Sequence, residues 1–208
     1  MTEKPSLPAL VLGAIAFIAA PLVATSACAA GPQEKSSIMY YPVTGSNAGT
    51  VYANILKVAP KIAPNATFAF TLIATKTDKR TKSAGGACRY TTFATSAAYV
   101  FHLPQHVKTE SLPKATLARW KNFQAYLLKH EEGHRDFWRE CFRAYDAEAM
   151  GLTAASCEEL DAKRAAIFTA RKRACVAQDE AYDVIFRKEV LKEPFIAEAA
   201  KLSGPPRK

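Results

Sequence analysis

From Lys114 to Met150, the residues Thr116, Trp120, Phe123, Leu127, His130, His134, Phe137, Cys141 and Tyr145 recur every three or four positions. That is the period of one face of an α-helix, and no strand could present the same set on one side. The chain is therefore expected to build one long helix here and to pack its other elements against it. Gly151 supplies a stop. Ser156-Cys157-Glu158-Glu159 then reads as a capping box opening a second long helix that runs to Lys192, just before Pro194. The short link predicts an antiparallel helical hairpin.

On the first helix, His130-Glu131-Glu132-Gly133-His134 spells H-E-x-x-H. Imidazoles at this spacing share a face and can grip one Zn²⁺. Glu131 projects about a hundred degrees round, beside the coordination position left open, where its carboxylate can take a proton from a water activated by the metal. The pattern points to metal-dependent hydrolysis, with a peptide or protein as the leading substrate. A catalytic zinc takes three protein ligands, so His130 and His134 need another. Helix geometry excludes Glu148, fourteen residues beyond His134 and about 21 Å along the axis; Asp146 fails in the same way. In a hairpin turning near residues 153 and 154, positions level with the histidines begin around 173 to 178. The second helix then offers Asp179, Glu180 and Asp183, whereas Glu158, Glu159 and Asp161 sit far down the hairpin. His102 is a further candidate, and Trp120, Phe123 and Phe137 are read as packing.

The segment before the hairpin carries strand signals. Ile38 to Val43 reads as a short strand that Pro42 favours at an edge, and Asn47 to Val58 as a helix stopping at Pro60. Pro60 and Pro64 bracket a loop. Thr67 to Lys76 alternates, with Phe68, Phe70 and Leu72 on one side. Lys76 to Gly86 is charged and then small, as an exposed connection would be. Ala87 to Leu103 is rich in Thr, Tyr, Phe and Val, as one bent strand or two short ones. It has Tyr99, Phe101 and Leu103 on one face and His102 on the other, and a loop from Pro104 to Pro113 follows. The fold class that results is α+β, a small antiparallel sheet packed against the long helical hairpin.

A chain of 208 residues can bury one good core, so residues 30–193 are assigned to a single domain and 194–208 to a flexible tail. Residues 1–29 have the pattern of a cleaved secretory signal peptide: Lys4, an apolar run from Leu7 to Val23, and Ala27-Cys28-Ala29. A lipoprotein acylated at Cys28 is the alternative, which Thr25 disfavours. Both readings place the protein in the periplasm or outside the cell. Cleavage leaves Cys88, Cys141, Cys157 and Cys175, which are expected to form two disulfides with three pairings open. The formal charge is +9, spread through helical segments without a nucleic-acid motif. A basic face of this kind suits anionic envelope polymers and gives no reason to expect nucleic acid.

In order along the chain come Tyr41-Pro42-Val43-Thr44-Gly45, the Cys88 strand, Leu103-Pro104, Trp120, the histidine motif, Cys157-Glu158-Glu159-Leu160 and Tyr182-Asp183. Together they resemble the DUF922 family, bacterial exported proteins described as secreted zinc-dependent proteases. The likeness covers Ile38 to Lys188. It implies a zincin-like metallopeptidase with His130 and His134 as zinc ligands and Glu131 as general base. Tyr182, by its position, would donate to the developing oxyanion. One departure stands out. In that family Tyr-Asp is commonly followed by Thr-x-His-Gly, whereas Lys188 stands here where that histidine would fall. Asp183 or a nearby acid then completes the zinc shell; otherwise the chain is a catalytically degenerate envelope-binding protein of the same fold.

Overall fold

Gly85 and Gly86 adopt φ of 60° and 76°, which glycine reaches without a steric penalty and which a two-residue hairpin turn of matching twist requires. The turn joins β2 (Phe70–Ala84) to β3 (Ala87–His106). The computed structural model describes residues 34–62 and 68–203, so the leader, Cys28 and Pro64 lie outside them. Residues 76–84, expected as a connection, are strand. Their polar side chains suit a sheet edge that water covers. Likewise β3 is one strand of 20 residues that absorbs Pro104 and His106, where a loop was expected. His106 accepts a bond from the Lys108 N–H (3.1 Å) and donates from Nε2 to the Gly45 carbonyl (2.7 Å).

The burial of β3 alternates, but the phase changes from Cys88 and Tyr90 to Phe93, Thr95, Ala97, Tyr99, Phe101 and Leu103. The cause is a bulge: Arg80 pairs with Thr92 and Thr81 with Tyr90, so Thr91 is extra. One added residue keeps the apolar set on one face despite the change of phase.

On the other side of β3 lies β1 (Glu34–Val43), an edge strand as Pro42 suggested but parallel to β3. The sheet is therefore mixed rather than antiparallel. Val43 pairs with His106 and Phe70 with His102, so β1 ends and β2 begins at the same end of β3. Between them α1 (Ala48–Ile62) bridges that end. Asn47 caps α1 through Thr50 N–H (3.0 Å). Its buried face of Ala48, Val51, Ile55 and Ala59 carries the helix to Ile62, two residues past the expected stop at Pro60.

The long helix α2 (Lys114–Met150) has the expected bounds. At about 55 Å it runs along most of β3 and joins three apolar clusters in succession. Trp120, Phe123 and Leu127 pack with Tyr41, Val43 and Leu103. Trp138 and Phe142 meet Tyr99 and Phe101, and Tyr145 and Ala149 meet Tyr90, Phe93 and Leu160. After the short β4 (Thr153–Ala154), α3 (Cys157–Glu189) folds back as the second arm of the hairpin. Ser156 caps it by accepting from Glu159 N–H (3.1 Å), and the Glu159 carboxylate accepts from Ala155 N–H.

Only Leu160 and Cys175 are buried on α3, and disulfides hold it in place. Cys88 is bonded to Cys157 and Cys141 to Cys175, across 69 and 34 residues. Each removes about 4 kcal/mol of unfolded-chain entropy in the loop-closure treatment. Such bonds are those of a chain matured in an oxidising compartment. No helix among the described residues is long and apolar enough to cross a membrane.

The largest correction concerns the end of the chain. Residues 194–203 are not a flexible tail but α4 (Pro194–Ser203), whose Phe195, Ile196 and Ala199 are buried in the same cluster as α1 and the start of α2. Phe195 stacks on Phe123 and meets Trp120 edge-on. Phe195→Ala should cost about 3–5 kcal/mol in urea unfolding; a dispensable tail would show no change.

Candidate metal centre

Each arm of the hairpin contributes two residues one turn apart, His130 and His134 from α2 and Asp179 and Asp183 from α3. His130 Nε2 and His134 Nε2 lie 3.0 Å apart, and each is 3.1 Å from Asp183 Oδ1. On the far side of the ring, His134 Nδ1 is 2.7 Å from Asp179 Oδ1. Asp179 therefore accepts a hydrogen bond from Nδ1–H, which fixes the ring and, when the imidazole is neutral, leaves the Nε2 lone pair aimed at the other two atoms. Three electron-rich atoms converging this closely repel one another unless a cation lies among them. His130, His134 and Asp183 form a group able to hold a metal ion.

Proton affinities express the same demand for positive charge. Burial disfavours the His134 imidazolium, but bonds to Asp179 and Asp183 outweigh it and raise the group to about 10. Burial lowers His130. For Asp183, burial is overcome by bonds from the two histidines, which hold its carboxyl well below the usual range.

Beside the three donors lies Glu131, only 2% exposed. It accepts a 2.6 Å hydrogen bond from Thr71 Oγ1 on β2. Burial raises its carboxyl to about 7 against the opposing Thr71 bond. Glu131, the donors and the exposed edge of β2 from Phe70 to Ile73 line a cleft of about 280 Å³. His130 stacks on Phe186 (3.7 Å between ring centres) and Tyr182 (4.8 Å). A Cβ on residue 133 would run into the Tyr182 hydroxyl and ring, so Gly133 makes room for this tyrosine against α2. Tyr182 accordingly buttresses His130. Its hydroxyl, expected to serve an oxyanion, points at Gly133, and Tyr182 is not among the residues lining the cleft.

The other third-ligand candidates lie elsewhere. His102 is on the sheet face turned away from the helices, stacked on Phe70 at 4.4 Å, as strand alternation requires. Glu180 and Lys188 point to solvent. Asp146 accepts from Thr95 N–H and Oγ1 (2.8 and 2.7 Å), and Glu148 pairs with Arg171. Sequence reasoning missed Thr71, Phe186 and the orienting role of Asp179. The spacing Asp179, Tyr182, Asp183, Phe186 did signal one helical stripe. Nothing signalled Thr71, because Phe70 and Leu72 were read as the inward side of β2, whereas Leu72 is 52% exposed and Thr71 faces Glu131.

Fold and site define an α+β protein whose disulfide-braced helical hairpin presents a two-histidine, one-aspartate donor set beside an open strand edge. The chain belongs to the DUF922 family: the model described as "Bacterial protein of unknown function (DUF922)" matches residues 38–187. No curated protein matches the chain, and no solved structure does.

With zinc as the probe, the parent should bind about one ion per chain by elemental analysis, and His134→Ala and Asp183→Ala should bind almost none. Asp179→Asn should weaken binding about 10–100-fold, whereas His102→Ala and Glu180→Ala should leave it unchanged. Replacing Cys141 and Cys175 together by serine should also weaken it, because α3 then loses its clamp at the site.

Proposed function

We propose that the protein is an exported metal-dependent hydrolase of peptide bonds, with zinc held by His130, His134 and Asp183 and with Glu131 as general base. The observation that carries this reading is the placement of a nearly buried carboxylate, raised towards neutrality, in the same cleft as three converging donors. Their 3.0–3.1 Å separations approach the edge of about 3.3 Å that a tetrahedral zinc shell requires. Two nitrogens and one carboxylate oxygen are also a donor set that zinc accepts. Zinc bound there would supply Lewis-acid polarisation of the scissile carbonyl and lower the pKa of water.

The chain's own groups do the rest. Glu131 accepts the proton of the attacking water and passes it to the leaving amine, a role suited to a carboxylate titrating near neutral pH. Thr71 holds the carboxylate in place. Among the described residues β2 pairs with β3 alone, so its outer edge offers unpaired backbone groups along the cleft, on which an extended peptide can add as a strand. Asp179 keeps His134 in the tautomer that aims Nε2 inward.

The outer part of β2, where Lys76, Arg80 and Lys82 are exposed, supports a second reading, a non-catalytic protein that binds anionic envelope polymers. Such binding would survive Glu131→Gln and fall with salt.

Glu131→Gln should retain the parent's zinc content while peptide hydrolysis falls about 10²–10⁴-fold. Equal activity in parent and variant would remove Glu131 from the mechanism.

A further inference from the structure

Beyond His134, the groove between α2, α3 and β2 opens into a second cavity of about 230 Å³. It adjoins the metal cleft, with Ile73 and Trp138 lining both. Its walls are the Cys141–Cys175 bridge and the rings of Phe142, Tyr145 and Phe168. The Tyr145 hydroxyl accepts from Arg164 (3.0 Å), and the rings and the bridge offer a large side chain dispersion contacts. Phe168 is 40% exposed although it packs edge-on against Tyr145. A ring left open beside a cavity gains contacts when a ligand group fills it.

Two cations border the space. Arg171 is neutralised by Glu148, whereas Lys172 is exposed and has no ion-pair partner among the described residues. The spacing links this cavity to the metal donors. Cys141 follows His134 by seven residues, about 10 Å along α2, which an extended peptide covers in about three residues. On β2, Thr71 faces Glu131, Ile73 borders both spaces, and Thr75 borders the second. These three residues share one face of the strand.

We propose that the second cavity is a substrate subsite. It takes a large apolar side chain, aromatic by preference, from a peptide extended along β2, about three residues from the bond held at the metal donors. The Lys172 ammonium meets a carboxylate next to that side chain. The assignment rests on the peptide-hydrolase reading, and it adds to that reading a preference for aromatic side chains flanked by acid.

The test uses the Glu131→Gln protein, so that binding is read without turnover. N-acetyl-L-phenylalanine, which carries a ring and a carboxylate together, is titrated in while the indole N–H of Trp138 and the backbone amides are followed by NMR. Saturable shifts are expected at Trp138, Phe142, Phe168 and Lys172. Phe168→Ala should weaken binding about tenfold. Lys172→Glu, and separately the neutral probe N-acetyl-L-phenylalaninamide, should each weaken it about threefold. N-acetyl-L-alanine should not saturate. Equal saturation by the alanine compound, or shifts confined to the metal donors, would overturn the proposal.

Peptide panels on the parent separate this proposal from the one on which it rests. Hydrolysis with no preference for Phe over Ala at the third residue on either side of the cut overturns the subsite and leaves the hydrolase standing. No hydrolysis, with the probe still saturating the cavity, overturns the hydrolase and supports the ligand class assigned to the cavity.

Discussion

The Cys141–Cys175 disulfide crosses from α2 to α3 two turns after His134 and one turn before Asp179. Helix α3 needs that link, because it buries only Leu160 and Cys175 and so has little apolar surface with which to fix its own position. In a helix packed by an apolar stripe, the core sets the spacing to its neighbour. Here a covalent bond does so at one level, Cys88–Cys157 does so at the foot of the hairpin, and the stacking of Tyr182 and Phe186 on His130 completes the contact. The four side chains of the metal centre meet because the two arms are held in register.

What the arms bring together is unfavourable on its own terms. Two imidazole nitrogens and a carboxylate oxygen point at one another inside a partly buried cleft, and Glu131 adds a further carboxylate nearby. Such an arrangement persists only where the scaffold over-determines it, and it is stabilised by positive charge. The scaffold supplies rigidity from three directions: the disulfide, the long strand β3 beneath α2, and α4, which locks the start of α2 against α1. The edge of β2 stays open beside the centre.

Much of this was legible in the sequence wherever the signal was local. The bounds of α2 follow from its apolar period, the Ser156 cap from its own four residues, and the His130–His134 pair from helical spacing. The hairpin geometry carried the search for acids to residues 179–183, and Asp179 and Asp183 do lie beside the histidines. Errors arose where a distant partner overrode a local pattern. A run of charges at 76–84 looked like a loop because nothing within it shows that it pairs with the strand that follows. The peptide after Pro194 looked like a tail because Phe195, Ile196 and Ala199 have no meaning until α1 and α2 form a pocket for them. The sheet was expected to be antiparallel throughout, but α1 spans one end of β3 between β1 and β2, and β1 lies parallel to β3.

By itself, then, the sequence determined the long helix, the two histidines on its face with a glutamate beside them, and the presence of enough cysteines to brace a hairpin. All of these depend on residues a few positions apart, where backbone geometry alone fixes the relation. Only the tertiary structure decided which acid meets the histidines, which cysteines pair, and which strand supplies Thr71. Asp183 lies 49 residues from His134. A separation of that size is set by packing, covalent cross-links and strand register acting together, which no local period encodes.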